Sequence, residues 1–208
     1  RTFSHNARAF FETLAGHCGQ ALERARLLEA ERKAKERLQL LAKAGEAFSA
    51  SLEYETTLST VVSAALPFLG DFAFFDLREG DRVRRIPCAY QDDEVLALLS
   101  KTVWTRSERN DKNLCALSSG VAGLETKIDD RWLRDVALSS EHLSLLRKTQ
   151  LCSMLTVPLY VVDELIGALT LCFGKSGRQH ALEDLQLAQE LARRAAVAVA
   201  QARLLQQA

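Results

Sequence analysis

Ser153-Met-Leu-Thr-Val-Pro-Leu-Tyr-Val-Val-Asp-Glu-Leu-Ile-Gly-Ala-Leu-Thr-Leu-Cys-Phe173 is two apolar, β-branched runs separated by Asp163-Glu164. Each run is short enough for a strand, and a polar pair between two such runs predicts a tight hairpin. Pro158 cannot donate to a ladder, so it belongs at an edge, at a bulge, or with its missing N–H turned away from a partner. Gly167 admits the close approach of another backbone. Ser153, Thr156 and Thr170 are the few polar residues, which predicts a hairpin covered on both faces. A sheet covered on both faces needs helices around it, and the rest of the chain supplies them.

The 208 residues suit one domain with extra elements. Formal net charge is zero, which argues against a nucleic-acid binder, since that class carries a basic surplus. The longest apolar runs, such as Leu165–Phe173, fall far short of the ~18–20 residues of a membrane span, so no membrane insertion is expected. The chain opens on Arg1 rather than Met and reads as a piece of a longer protein. Its cysteines (Cys18, Cys88, Cys115, Cys152, Cys172) are odd in number and dispersed, mostly in apolar runs. Such residues act as small buried hydrophobes, match no zinc spacing, and point to a reducing, cytoplasmic compartment.

In chain order, Leu14, Cys18, Ala21, Leu22, Ala25 and Leu28 recur at helical spacing, and the mixed-charge run Glu31–Arg37 continues the helix with Glu29/Lys33 and Glu31/Lys35 pairs. Leu27, Ala34, Leu41 and Phe48 follow at seven-residue intervals, a seam of coiled-coil type that faces a partner. Ser51 is placed to cap a second helix that Pro67 and Gly70 stop. Phe72–Leu77 and Val83–Tyr90 read as strands around a Glu79-Gly80-Asp81 turn, with Pro87 setting the second at the sheet edge. Asp92-Asp93-Glu94 opens a short helix, 102–113 reads as a loop, and Leu114–Ser119 as a short helix ending at Gly120. Leu124–Ile128 is a candidate strand, Asp129-Asp130 caps a short helix, and Glu141–Lys148 adds further helical turns. The last helix starts at Leu182 and carries the small stripe Ala188, Ala192, Ala195, Val199 and Ala202, which lets it sit close on a sheet or on another helix. Ala25-Arg-Leu-Leu28 recurs as Ala202-Arg-Leu-Leu205, so the first helix reads as the closing helix of an earlier copy of the same domain.

The runs Ser153–Leu159 and Leu165–Leu171, with Leu182-Glu-Asp-Leu185 and Gln201-Ala-Arg-Leu204, resemble the closing part of a GAF domain. Leu38–Gly45 with Ser51–Leu58 resembles its opening. The resemblance implies an α+β, PAS-related fold: an antiparallel sheet with helices on both faces and long terminal helices. It divides the chain into a linker helix over 1–37, the end of a preceding GAF domain, and a GAF domain over 38–208. It also implies a sensory module of a bacterial signalling protein, upstream of an output domain such as a histidine kinase, and a dimer through the terminal helices. The chemistries of specialised members do not carry over. Cyclic-nucleotide binders show Asn-Lys…Phe…Asp-Glu, whereas Lys112-Asn113 is reversed here. Bilin binders use Cys followed by His, whereas His17-Cys18 is reversed and lies in the wrong helix. Methionine-sulfoxide reductases use cysteines upstream of the Val-Pro-Leu strand, at a spacing that Cys88, Cys115 and Cys152 do not show.

No nucleophile elbow, phosphate loop or metal-ligand cluster is legible, so the chain reads as non-enzymatic and its cofactor stays unspecified. The readings kept open beside it are a thiol redox enzyme using Cys115 or Cys152 and a ligand-free dimeriser. A pocket, if present, is expected between the sheet and the segment 102–137. Phe74 and Asp76 share a strand face, and Asp76 is a carboxylate in an apolar strand that needs a partner if buried. Trp104, Asp129 and Trp132 come from the segment above, and Thr170 from the last strand. The expected dimer is parallel: the Leu27-Ala34-Leu41-Phe48 seam and the Ala192, Ala195, Val199 and Ala202 stripe form a four-helix bundle across the symmetry axis.

Overall fold

The computed structural model describes residues 5–50, 54–88, 103–105, 115–137 and 139–207. It divides into two units, Arg1–Leu40 and Leu41–Ala208. Helix α1 runs His5–Ala50. Through the first unit it carries exposed Phe11, Leu14, Leu22, Leu27 and Leu28, while Arg32 bridges Glu29 and Glu36 along its surface.

The second unit is built on the central hairpin. Strands β5 (Ser153–Val161) and β6 (Glu164–Phe173) pair antiparallel, and β1 (Phe72–Glu79) pairs with the other edge of β6. Adding β2 (Arg82–Cys88), β3 (Val103–Thr105) and β4 (Gly123–Glu125) gives a six-stranded sheet in the order β3-β2-β1-β6-β5-β4, all neighbours antiparallel. Alternation sorts the side chains onto two faces. Ala73, Phe75, Leu77, Leu155, Val157, Leu159, Leu169 and Leu171 share one face and are all buried. Helices α2 (Tyr54–Leu69) and α6 (Leu182–Gln207) cover it. The opposite face carries Phe72, Phe74, Val83, Ala168 and Cys172. Over it lie α3 (Cys115–Ser119), α4 (Asp130–Val136) and α5 (Ser140–Lys148).

Each short helix has a local cause. Asp129 caps α4, its Oδ1 accepting the Trp132 N–H at 2.9 Å. Ser139 caps α5 by accepting from His142 N–H at 3.1 Å. These bonds satisfy amides that a helix start leaves without partners. Arg147 then grips Asp130 with two N–H groups, at 2.8 and 3.1 Å, and ties α5 to the start of α4. Gly120 ends α3 at φ 70°, where a Cβ would fall 2.0 Å from the Tyr160 hydroxyl.

Several expectations are corrected. The hairpin turns on Val162-Asp163 rather than Asp163-Glu164, because Val162 takes φ 56° and Glu164 already belongs to β6. Pro67 does not stop α2: it sits inside the last turn, and Gly70 N–H closes on Leu66 O. β2 is not an edge strand, since Val103–Thr105, read as loop, pairs with Arg82–Arg84. Pro87 lies past the described part of β3, and Pro158 lies beyond β4, next to a register shift at Leu159/Tyr160. β4 is also shorter than the strand expected over Leu124–Ile128. The small stripe of α6 meets its own sheet: Ala188, Ala192, Ala195, Val199 and Ala202 are buried within this one chain, with β5 as the principal contact. Small residues permit close approach to either kind of surface, and here the sheet takes the whole stripe. The Ser51 cap, the Asp92–Glu94 helix and most of the 102–113 loop lie outside the described residues.

Gly167 stands opposite Leu77 of β1 and Leu159 of β5. A Cβ there would meet Asp76 O at 2.6 Å and the Leu77 side chain at 2.8 Å. Gly167→Ala is expected to destabilise the domain by about 1–3 kcal/mol, the usual cost of forcing an atom into a packed interior. Urea denaturation checks this, and the midpoint should fall with the slope unchanged.

Candidate functional site

The second face of the sheet is apolar at two places and polar between them. One apolar cluster joins Phe72, Phe74 and Cys172 to Ile128, Leu133 and Leu151, with Trp132, Leu143, Leu146 and Met154 packed against it. The other joins Val83 and Ala168 to Ala116 and Leu117 of α3. Between them Asp76 of β1 faces Arg85 of β2 in register. The two-residue turn at Gly80-Asp81 fixes that register, so the pairing follows from the hairpin itself.

The pair is bidentate. Arg85 Nε donates to Asp76 Oδ1 at 2.8 Å and Nη2 to Oδ2 at 3.0 Å. The side chains are 7% and 1% exposed. The guanidinium also lies over the Phe74 ring, 3.8 Å from its centroid, a cation–π contact that desolvation strengthens. Thr170 stands opposite Phe74 on β6, and Thr156 opposite Thr170 on β5; both are buried, with their hydroxyls 3.5 Å apart. The remaining N–H groups of Arg85 meet no acceptor among the described residues. A buried guanidinium with spare donors is suited to a ligand that offers an oxygen acceptor.

Of the residues expected at the site, Phe74, Asp76 and Thr170 come together on this face. Trp104 stands opposite Val83 in β3 at the far edge. Trp132 is half-buried in the apolar cluster under α4. Asp129 is exposed and occupied as the α4 cap, so its carboxylate serves the helix. Sequence reasoning missed Arg85 and Thr156. Arg85 was there to be found, because β2 reads Arg82-Val-Arg-Arg-Ile and the two-residue turn sets its last arginine against Asp76.

An open cleft of about 600 Å³ lies between the end of α2 and the loop after β6, lined by Leu66, Pro67, Asp71, Thr149, Lys175 and Arg178 among others. Asp71 clamps that loop by accepting from Gly174 N–H at 2.8 Å and Ser176 N–H at 3.0 Å. Arg178 reaches Pro67 O at 2.8 Å and stacks on Phe173. Burial works against the Asp71 charge, but the Gly174 and Ser176 amides, the Ser176 hydroxyl and Arg178 outweigh it and hold the carboxyl below its ordinary value. Among the described residues no group of three His, Cys, Asp or Glu side chains is placed to hold a metal ion.

The family model described as GAF domain matches residues 51–200. The chain belongs to the GAF domain family. Solved GAF structures share its fold at low identity. The GAF domain of a phosphoenolpyruvate-protein phosphotransferase from Coxiella burnetii superposes with a TM-score of 0.66 at 16% identity, over 84% of this chain and 99% of that one. The phycocyanobilin-bound GAF domain of a cyanobacterial phytochrome gives 0.61 at 18%, over 83% and 98%. Free methionine-R-sulfoxide reductase from Neisseria meningitidis, in complex with its substrate, gives 0.60 at 16%, over 83% and 93%. No curated protein matches the chain.

Two outcomes are expected for this GAF domain. Arg85→Ala strands a buried carboxylate and should cost about 3–5 kcal/mol, whereas Arg85→Met combined with Asp76→Asn should recover much of that loss. Equilibrium denaturation of the single and double variants measures the coupling. A carboxylate held below its unfolded value contributes stability that is fully present above about pH 4 and lost as pH falls through the folded value. Asp71→Asn should therefore flatten the acid limb of a stability–pH curve below about pH 4, read by thermal melts.

Proposed function

We propose that this GAF domain is a non-catalytic sensory module. It binds a small molecule bearing an oxygen acceptor over Phe74, Asp76, Arg85 and Thr170, and relays occupancy through its terminal helices to an output domain such as a histidine kinase of a cytoplasmic two-component system. The observation that carries the reading is the buried Arg85 guanidinium, charge-balanced by Asp76 yet with N–H groups that meet no acceptor among the described residues. Bound ligands in GAF structures such as the phytochrome one are consistent with it. Among the described residues no helix is long and apolar enough to cross a membrane.

The thiol-enzyme reading has less support. Catalytic thiols need a lowered pKa. Burial raises the Cys152 thiol, with the nearby Asp71 charge adding to the effect, and the Cys115 side chain lies outside the described residues.

The proposed relay includes a homodimer through α1. Leu27 is 62% exposed and Ala34 is exposed, while Leu41 is half-buried. An exposed leucine at a heptad position is the kind of residue a second helix covers.

Native mass spectrometry of the purified chain tests the ligand. A small molecule is expected to co-purify with the wild type and to be absent from the Arg85→Met, Asp76→Asn double variant. A wild type that carries nothing and gains no thermal stability from a library of small carboxylates and phosphates would defeat the reading. For the dimer, Leu27→Asp should convert a dimer to a monomer by light scattering while leaving the melting of the sheet domain unchanged. A wild type that is already monomeric at high concentration removes the dimer.

A further inference from the structure

His180 is a buried histidine that the site above does not employ. It lies two residues before α6, 3% exposed, with its ring 4.4 Å from that of Phe173. Its Nε2 is 2.9 Å from Leu69 O at the end of α2, and its Nδ1 is 2.9 Å from Ser153 Oγ at the start of β5. Ser153 is itself fully buried. Its Oγ accepts from the His180 backbone N–H at 3.1 Å and lies 2.8 Å from Glu125 O in edge strand β4.

The inventory of protons at this cluster decides what it can do. Leu69 O and Glu125 O are carbonyls and only accept, so Nε2 must carry a hydrogen. The Ser153 hydroxyl has one hydrogen and two claims on it. If it donates to Nδ1, the imidazole is neutral and Glu125 O loses the serine as donor. If it donates to Glu125 O, the 2.9 Å contact to Nδ1 is a hydrogen bond only when Nδ1 bears its own hydrogen, and the ring is then an imidazolium. Both arrangements fit the same heavy-atom positions, and they differ by one proton taken from solvent onto Nδ1.

We infer that His180 and Ser153 form a proton-operated latch: protonation of His180 reverses its bond to Ser153 and turns the serine hydroxyl onto Glu125 O, joining the entry of α6 to edge strand β4. The neighbours on every side bear on where the latch operates. Burial favours the neutral ring and dominates. The Leu69 carbonyl and the carboxylates of Asp184 on α6 and Asp71 after α2 favour the charged ring, while Arg178 in the intervening loop opposes it. From β5, Cys152 beside Ser153 bears a thiol that burial keeps protonated, and from β6 the Phe173 ring adds no charge. The net effect lowers the His180 pKa, so the neutral arrangement holds at neutral pH and the reversed one forms only below the ordinary histidine range. Because the folded value lies below the unfolded one, the unfolded chain takes up the proton first. The associated stability is complete above about pH 6.5 and is lost as pH falls towards the folded value.

The test is imidazole ¹⁵N and backbone amide NMR of the intact chain between pH 4 and 8. The expected neutral tautomer carries hydrogen on Nε2 and none on Nδ1. The His180 midpoint should lie below about 6.5, and the Thr126 amide, which reports on the Glu125 carbonyl, should shift with that same midpoint. Ser153→Ala removes the acceptor that an imidazolium needs more than a neutral ring does. It should move the midpoint down by roughly one pH unit and abolish the coupled Thr126 shift. A neutral ring with its hydrogen on Nδ1 overturns the inference, as does a Thr126 amide indifferent to the His180 titration. Both are read on the wild type, so the answer does not depend on whether the variant folds.

Discussion

A guanidinium and a carboxylate buried side by side on adjacent strands place a demand on everything above them. Removing two charges from water costs several kcal/mol per ion unless geometry and further hydrogen bonds compensate. The structure meets part of that cost with a two-pronged contact and an aromatic face: Asp76 opposite Arg85, Phe74 beneath the guanidinium. Two apolar clusters flank the pair, one under α4 and α5 and one under α3, and the low dielectric they create strengthens the attraction between the two charges. The roof helices are short, and their caps and the Asp130–Arg147 clasp hold them in place. The rear of the sheet makes no such demand. It is apolar and closed by two long helices, the ordinary solution for a sheet that must hide its second face.

That asymmetry explains which parts were legible in the sequence. The hairpin Ser153–Phe173 announces itself, because two β-branched runs around a polar break have few alternatives. Its turn is misplaced by one residue because Val162, a residue type that disfavours positive φ, occupies the left-handed position. The rule confining prolines to edges needs widening here. Pro87 and Pro158 sit in interior strands, Pro87 past the described part of β3 and Pro158 beyond the three-residue β4. A strand as short as β4 carries almost no sequence signal.

At the site, the oddity of Asp76 was visible and its partner was not. A carboxylate in an apolar strand is conspicuous, whereas one arginine among Arg82, Arg84 and Arg85 is not. Only register distinguishes them: Arg84 points to the rear face and meets Glu79 and Glu55, while Arg85 points to the roof. Asp129 misled in the opposite direction, since its carboxylate serves the helix it begins. The alanine stripe of α6 was ambiguous in principle. Small residues signal close packing without saying against what, and only the burial of the stripe within the single chain resolves it.

That stripe has a mechanical side. The alanines and valine of the stripe have few knobs to lodge in holes, so on α6 the large interdigitating side chains are the buried Leu187 and Leu191. Polar pegs along its length add to them. Midway Arg194 donates to Leu41 O at 2.6 Å, and towards the end Arg203 donates to Arg78 O at 2.7 Å. These two pins rest on main-chain carbonyls of α1 and of β1, the strand that also carries Asp76. Axial position along α6 is in this way tied to the backbone of the strand that holds the buried charge.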